Sequence, residues 1–210
     1  MSSATDWVAW HHAYADPSSA LSRRLLAVQD QIRAALPSRA PRQFTIVSVC
    51  AGRGDDLIPV LASYPWAGRI AARLVESDPR NVAEMIRSAS GAGLALDIVE
   101  GDAAELAGYR GAVPADLVLL CGVLGNVSDA DAEITVRAMP RLCRSGATVI
   151  WTRSRRAPDR TPHIRRWFAE CGYTELAFIA PDDVRFSVGA HRFRGTPEPL
   201  GAGRLFRFIR

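Results

Sequence analysis

From Phe44 to Thr152 the sequence alternates short apolar runs with stretches of helical length, and no other feature constrains the fold as much. The apolar runs are Thr45 to Cys50, Ala72 to Glu76, Leu94 to Val99, Asp116 to Cys121 and Ala147 to Thr152. Within Leu117-Val118-Leu119-Leu120 there is no polar residue, so both faces of that strand must be covered, as in a parallel sheet with helices on each side. Helices are predicted between the runs, at Asp55 to Ser63, Pro79 to Ser88, Ala103 to Ala107 and Ser128 to Met139. Pro79 sits in a first helical turn, where the N–H it lacks would have no partner anyway. The alternation predicts an α/β fold with a doubly wound, mostly parallel sheet.

Both ends of the chain read differently. Ser18 or Ser19 caps a predicted helix with Leu21, Leu25, Val28, Ile32 and Leu36 on one stripe, and Pro37 to Arg42 ends it. After a predicted helix at Pro162 to Cys171 come three extended runs, Thr174 to Ala180, Arg185 to Phe193 and Arg204 to Ile209. No helix fits between them, so an antiparallel C-terminal edge is expected. With 210 residues, one domain is expected over 1–210, divided into an N-terminal helical lid (1–42) and a core (43–210).

Composition removes several function classes. The 26 basic residues exceed the 22 acidic ones by four, and every basic residue is arginine. A chain without lysine is neither a P-loop nucleotidase nor a Schiff-base enzyme, because both need a lysine amine. No G-x-S-x-G occurs, which removes the usual serine-hydrolase elbow. Cys50, Cys121, Cys143 and Cys171 are widely spaced in apolar surroundings, which predicts free thiols and no metal site. No apolar run approaches membrane-spanning length and no basic n-region opens the sequence, so a cytoplasmic location is expected.

Three elements in order carry the chemistry. The run Ile46-Val47-Ser48-Val49-Cys50-Ala51-Gly52-Arg53-Gly54-Asp55-Asp56-Leu57 leads from a strand through a small-residue turn into a helix, so a ligand can approach the backbone at Gly52 and Gly54. Glu76 ends the second strand, followed by Ser77, and a carboxylate there suits two ribose hydroxyls. Asp102, before Ala103, follows the third strand and suits an adenine amino group, or equally a helix cap. Taken together they resemble the class I S-adenosylmethionine-dependent methyltransferases over Phe44 to Thr152. The resemblance implies a Rossmann-like seven-stranded sheet and S-adenosyl-L-methionine as cofactor. It implies a cofactor site at Ala51, Gly52, Gly54, Asp55, Glu76, Ser77, Asp102, Ala103, Cys121 and Gly122, since Asp116 to Gly122 matches the strand that ends beside the methyl group. Ser48 stands where the family carries an acid and Cys50 where it carries a glycine, leaving the methionine ammonium to backbone carbonyls or Asp55.

No Asn-Pro-Pro-Tyr-like tetrad follows the fourth strand, where the chain reads Cys121-Gly122-Val123-Leu124-Gly125-Asn126. In the family that tetrad marks methylation of planar amino groups, so its absence turns the expectation from nucleic acid towards a small-molecule acceptor, methylated on oxygen or nitrogen. The rivals are an RNA methyltransferase, a nucleotide-binding module without catalysis and, more distantly, a dinucleotide-dependent oxidoreductase. Trp7, Trp10, His11 and Tyr14 share one helical face, read either as a hydrophobic anchor or as a lid with His11 as acid/base group and Tyr14 to orient it. His191 is a second candidate base. Arg153, Arg155 and Arg156 follow the fifth strand, either as a solvated basic loop or as partners for a carboxylate or phosphate.

Overall fold

A computed structural model describes residues 19–209. Its seven strands are β1 (Phe44–Val49), β2 (Ile70–Glu76), β3 (Asp97–Glu100), β4 (Ala115–Leu120), β5 (Cys143–Ser154), β6 (Tyr173–Ile179) and β7 (Phe186–Phe193). They form one sheet in the order β3-β2-β1-β4-β5-β7-β6. β1 to β5 run parallel, and β7 lies antiparallel between β5 and β6.

Helices cover both faces: α1 (Ala20–Ala35), α2 (Ile58–Ala62) and α3 (Pro79–Gly91) on one, α4 (Asp129–Ala138) and α5 (Thr161–Glu170) on the other. Successive strand residues point to opposite faces. Accordingly Ile46, Leu74, Leu117, Leu119 and Ile150 pack under the first group, while Val47, Val75, Val118, Leu120 and Val149 pack under the second. The Ser19 hydroxyl accepts from the Ser22 N–H at 3.0 Å and starts α1. Val28 and Ile32 are buried against the sheet, so α1 is a packed layer of the core. Among the described residues no helix is long and apolar enough to cross a membrane.

Several expected elements change. The helix after the β1 turn shortens to α2, because the N–H groups of Leu57 and Ile58 both return to the Gly54 carbonyl. Leu106–Tyr109 form a 3-10 turn in place of a helix at Ala103 to Ala107. Arg204 to Ile209 is not a sheet strand. It makes two isolated bridges, Glu105 with Arg204 and Val127 with Phe208, across the loops after β3 and β4. Pro197, Pro199 and the left-handed glycines Gly201 and Gly203 redirect the chain there, and burial of Leu205 and Phe206 holds it down.

Candidate functional site

β1 and β4 are neighbours, yet β2 and β3 lie between them in sequence, so the connections leave this point in opposite directions. In open parallel sheets the crevice beyond the carboxyl ends at such a point is where ligands bind. Here it holds a cavity of about 620 Å³. The loops after β1, β2 and β4 line it, together with Thr152 of β5, Arg24, Leu25 and Val28 of α1, and Phe208 of the C-terminal segment.

The turn after β1 is built on left-handed residues at Cys50 (φ 56°), Gly52 (φ 57°) and Gly54 (φ 75°). Cys50 occupies a conformation that favours glycine, and its thiol is pushed up by burial and by Glu76. The turn aims the Gly52 N–H at Glu76 Oε2, 2.8 Å away, and the Asp78 N–H meets Oε1 at 2.9 Å. Glu76 is buried with both oxygens anchored, and each oxygen keeps room for a further donor. Gly122, left-handed at φ 76°, opens its face to the cavity; its N–H donates to Thr152 Oγ1 at 2.9 Å, and its carbonyl accepts from Asn126 Nδ2 at 2.6 Å. Burial holds the Cys121 thiol well above its ordinary range, so neither cysteine in this wall is a thiolate.

The two aspartates behind Gly54 differ. The Asp55 carboxylate is held by Arg53, Nη2 at 3.1 Å, and the Asp55 carbonyl accepts from Gln29 Nε2 at 2.9 Å. Asp56 Oδ1 is buried in the cavity wall with no hydrogen-bond partner among the described residues. Burial, with the Asp55 charge, pushes the Asp56 carboxyl up to about 6, and the Asp56 and Leu57 N–H groups and Arg24 oppose this. Asn81 Oδ1 is a second buried, unpartnered acceptor in the same wall. Buried acceptors without donors are rare in folded proteins, and two in one cavity mark where a ligand's N–H or O–H groups belong.

Of the residues expected from sequence, Ala51, Gly52, Asp55, Glu76, Ser77, Cys121 and Gly122 line this cavity. Gly54 lies behind the wall, where a Cβ would come 2.7 Å from Ile58 Cδ1. Asp102 and Ala103 are not in the lining. The Asp102 carboxylate caps the Ala104 N–H at 2.9 Å and pairs with Arg204 at 2.7 Å. His191 faces neither cavity: it is buried on the α5 side of the sheet, stacked on Phe168 at 4.6 Å. Its Nε2 is 3.5 Å from Glu175 Oε2, beyond good hydrogen-bond distance, and burial pushes its pKa down to about 4. That corrects its reading as a base. His11, Tyr14, Trp7 and Trp10 lie outside the described residues. Asp56, Asn81 and Arg24 went unnoticed in the sequence. A second Asp after a glycine turn was the one available signal, and it does not tell Asp56 from Asp55.

A second cavity, of about 820 Å³, adjoins the first and shares Arg24, Gly122, Asn126 and Thr152 with it. The three arginines after β5 divide there. Arg153 donates to the Leu124 carbonyl and pairs with Asp129. Arg155 turns inward onto the Pro181, Val184 and Phe186 carbonyls, and Arg156 lines the second cavity.

No family model matches the chain, and no curated protein matches it either. Solved structures do. An O-methyltransferase family protein from Burkholderia thailandensis superposes with a TM-score of 0.67 at 16% identity, over 91% of this chain and 60% of that one. The chain thus spans less than two thirds of that protein's length. A magnesium protoporphyrin IX methyltransferase from Synechocystis PCC 6803 with bound S-adenosylhomocysteine gives 0.65 at 13% identity, over 88% and 92% of the two chains. An rRNA methylase from Streptococcus thermophilus gives 0.59 at 10% identity, over 80% and 94%. The fold is that of the class I S-adenosylmethionine-dependent methyltransferases.

Proposed function

We propose that the chain is an S-adenosylmethionine-dependent methyltransferase acting on a small-molecule acceptor, with the cofactor in the cavity between the β1 and β4 ends. The observation that carries this reading is one cavity wall holding both the anchored Glu76 carboxylate and the orphaned Asp56 and Asn81 oxygens. A nucleoside carrying an amino-acid end offers what these groups lack: a pair of ribose hydroxyls for Glu76, and ammonium or amino N–H groups for Asp56 and Asn81.

The cofactor supplies a methyl group on a positively charged sulfur, which an acceptor atom displaces in line. The chain's part is alignment, water exclusion and proton removal. The Gly52 and Gly122 backbones form close walls, and Thr152 and Asn126 hold Gly122 in place at the passage between the cavities. With His191 buried and neutral, we assign proton removal from a protonated acceptor to His11, with Tyr14 to orient it.

The test is ligand binding to the purified chain. A ligand that binds only the folded state at ~100 times its Kd stabilises it by about 2.7 kcal/mol. For a domain of this size that is a rise of roughly 5–10 °C in Tm with S-adenosylhomocysteine. A rise with nicotinamide dinucleotides and none with S-adenosylhomocysteine overturns the reading.

A further inference from the structure

The second cavity has a charge imbalance that the cofactor reading does not use. Among the described residues, Arg153, Arg156, Arg160 and Arg185 line it, with Asp129 as the one acidic residue beside them. That carboxylate is already divided, with Oδ2 on Arg160 Nε at 2.9 Å and Oδ1 3.4 Å from Arg153. The Arg153 pKa is pulled down by burial and by the neighbouring Arg160 charge, so cation crowding is present in the wall itself.

Two of the guanidiniums have no side-chain partner among the described residues: Arg156, from the loop after β5, and Arg185, from the loop before β7. These loops are fixed to each other. The Arg155 N–H donates to the Arg185 carbonyl at 2.6 Å, and the Arg155 side chain holds the carbonyls of the 181–186 loop. A solvated basic loop needs no such staple. Here Arg155 spends its guanidinium on positioning, and its two neighbours in space are delivered to one cavity from separate chain segments. A concave cationic site concentrates anions, and the planar guanidinium matches carboxylate and phosphate oxygens. Leu21, Val127, Pro158 and Ile209 add apolar surface to the wall, beside the polar side chains of Asn126, Ser128, Thr152 and Ser154.

We propose that this cavity takes the methyl acceptor, and that the acceptor is an amphipathic organic anion whose carboxylate or phosphate is held by Arg156 and Arg185. This rests on the adjoining cavity being the methyl-donor site. A volume of about 820 Å³ suits a small molecule. RNA recognition calls for exposed aromatic faces to stack bases, and the one aromatic among the described lining residues, Phe186, is buried.

The test uses 3-phenylpropanoate, phenyl phosphate and the neutral 3-phenylpropanol as probes. Calorimetry on the full chain is run with and without S-adenosylhomocysteine, alongside the Arg156→Glu/Arg185→Glu variant. The anions are expected to bind at least about tenfold more tightly than the alcohol, with the tighter of the two naming the head group, and the variant to lose about tenfold. S-adenosylhomocysteine affinity stays at the parent's value in the variant, which shows that it folds. Equal binding of anions and alcohol, no anion binding at all, or anion binding that survives the charge reversal overturns the proposal. So does a single-stranded RNA oligonucleotide that binds through these arginines while neither anion does. Failure of S-adenosylhomocysteine to bind overturns the donor reading instead, and anion binding to the unliganded chain is judged separately from it.

Discussion

The Trp151 indole N–H donates to Nδ1 of His191 at 3.1 Å, across the β5–β7 pair. This bond leaves Nε2 to carry the single proton of a neutral ring. Phe168 of α5 stacks on the imidazole, Glu175 of β6 is the nearest carboxylate, and Arg165 of α5 holds that carboxylate at 2.6 Å. Burial dominates, so His191 titrates at about 4 in the folded chain against about 6.5 when unfolded. The folded state therefore binds fewer protons between those values, and its stability falls as pH drops from 6.5 to 4. Relative to His191→Gln, the parent should lose on the order of 3 kcal/mol across that window, read as the difference between their urea-unfolding free energies. A constant difference removes the buried neutral histidine.

The same indole needs the glycine opposite it. Gly189 pairs with Trp151 in register, and a Cβ there would lie 2.3 Å from the ring carbon Cε2. Trp151 is fully buried against Phe168 and has no room to retreat. Gly189→Ala should cost about 3 kcal/mol or fail to fold, seen as a Tm drop of about 6–12 °C. Gly68→Ala, where nothing lies within 4 Å of the added atom, serves as the control with an unchanged Tm.

These two residues also show what the sequence conveys and what it hides. The strands were legible because Leu117 to Leu120 is apolar on both faces, and only a covered parallel strand accepts that. The place of Glu76 at the crevice was legible because the carboxyl end of the second strand of such a sheet opens onto it. His191 looked like a site residue because a histidine in a strand carries no local mark of its neighbours; Trp151, Phe168 and Glu175 come from three other elements. Which of the two readings of Asp102 holds was hidden for the same reason, since its partner Arg204 lies 102 residues away. Asp55 and Asp56 are adjacent and chemically identical; in the structure Arg53 pairs with the first, while Oδ1 of the second is buried without a partner among the described residues.

Glu76 and Asp102 should therefore behave very differently. Glu76→Gln keeps the shape but removes the charge that two ribose hydroxyls would meet. The expected cost is on the order of 2 kcal/mol, about 30-fold in the Kd of S-adenosylhomocysteine. Asp102→Asn weakens a surface pair with Arg204 and should leave that Kd within about twofold. Calorimetric titration of both variants decides. Equal losses would put Asp102 back on the ligand.

Asp56 gives the sharpest test, because stability and binding should move in opposite directions. Its carboxyl is raised to about 6 in the folded chain by burial and by Asp55. The folded state therefore holds its proton longer than the unfolded one, and ionisation between pH ~4 and 6 costs stability. Asp56→Asn removes that cost and should stabilise the ligand-free chain by on the order of 1 kcal/mol at pH 7.5. Ligand binding asks for the charge instead. An ammonium group facing Oδ1 is held only by the carboxylate, so S-adenosylhomocysteine affinity should rise with pH through about 6 in the parent and stay flat in the variant. At pH 7.5 the variant should bind it about tenfold more weakly. 5′-Methylthioadenosine lacks the amino-acid end and should bind parent and variant alike. If the variant weakens both ligands equally, Asp56 serves the shape of the turn. If it weakens neither, the ammonium is held elsewhere, and the buried acceptor at Asp56 Oδ1 belongs to another ligand.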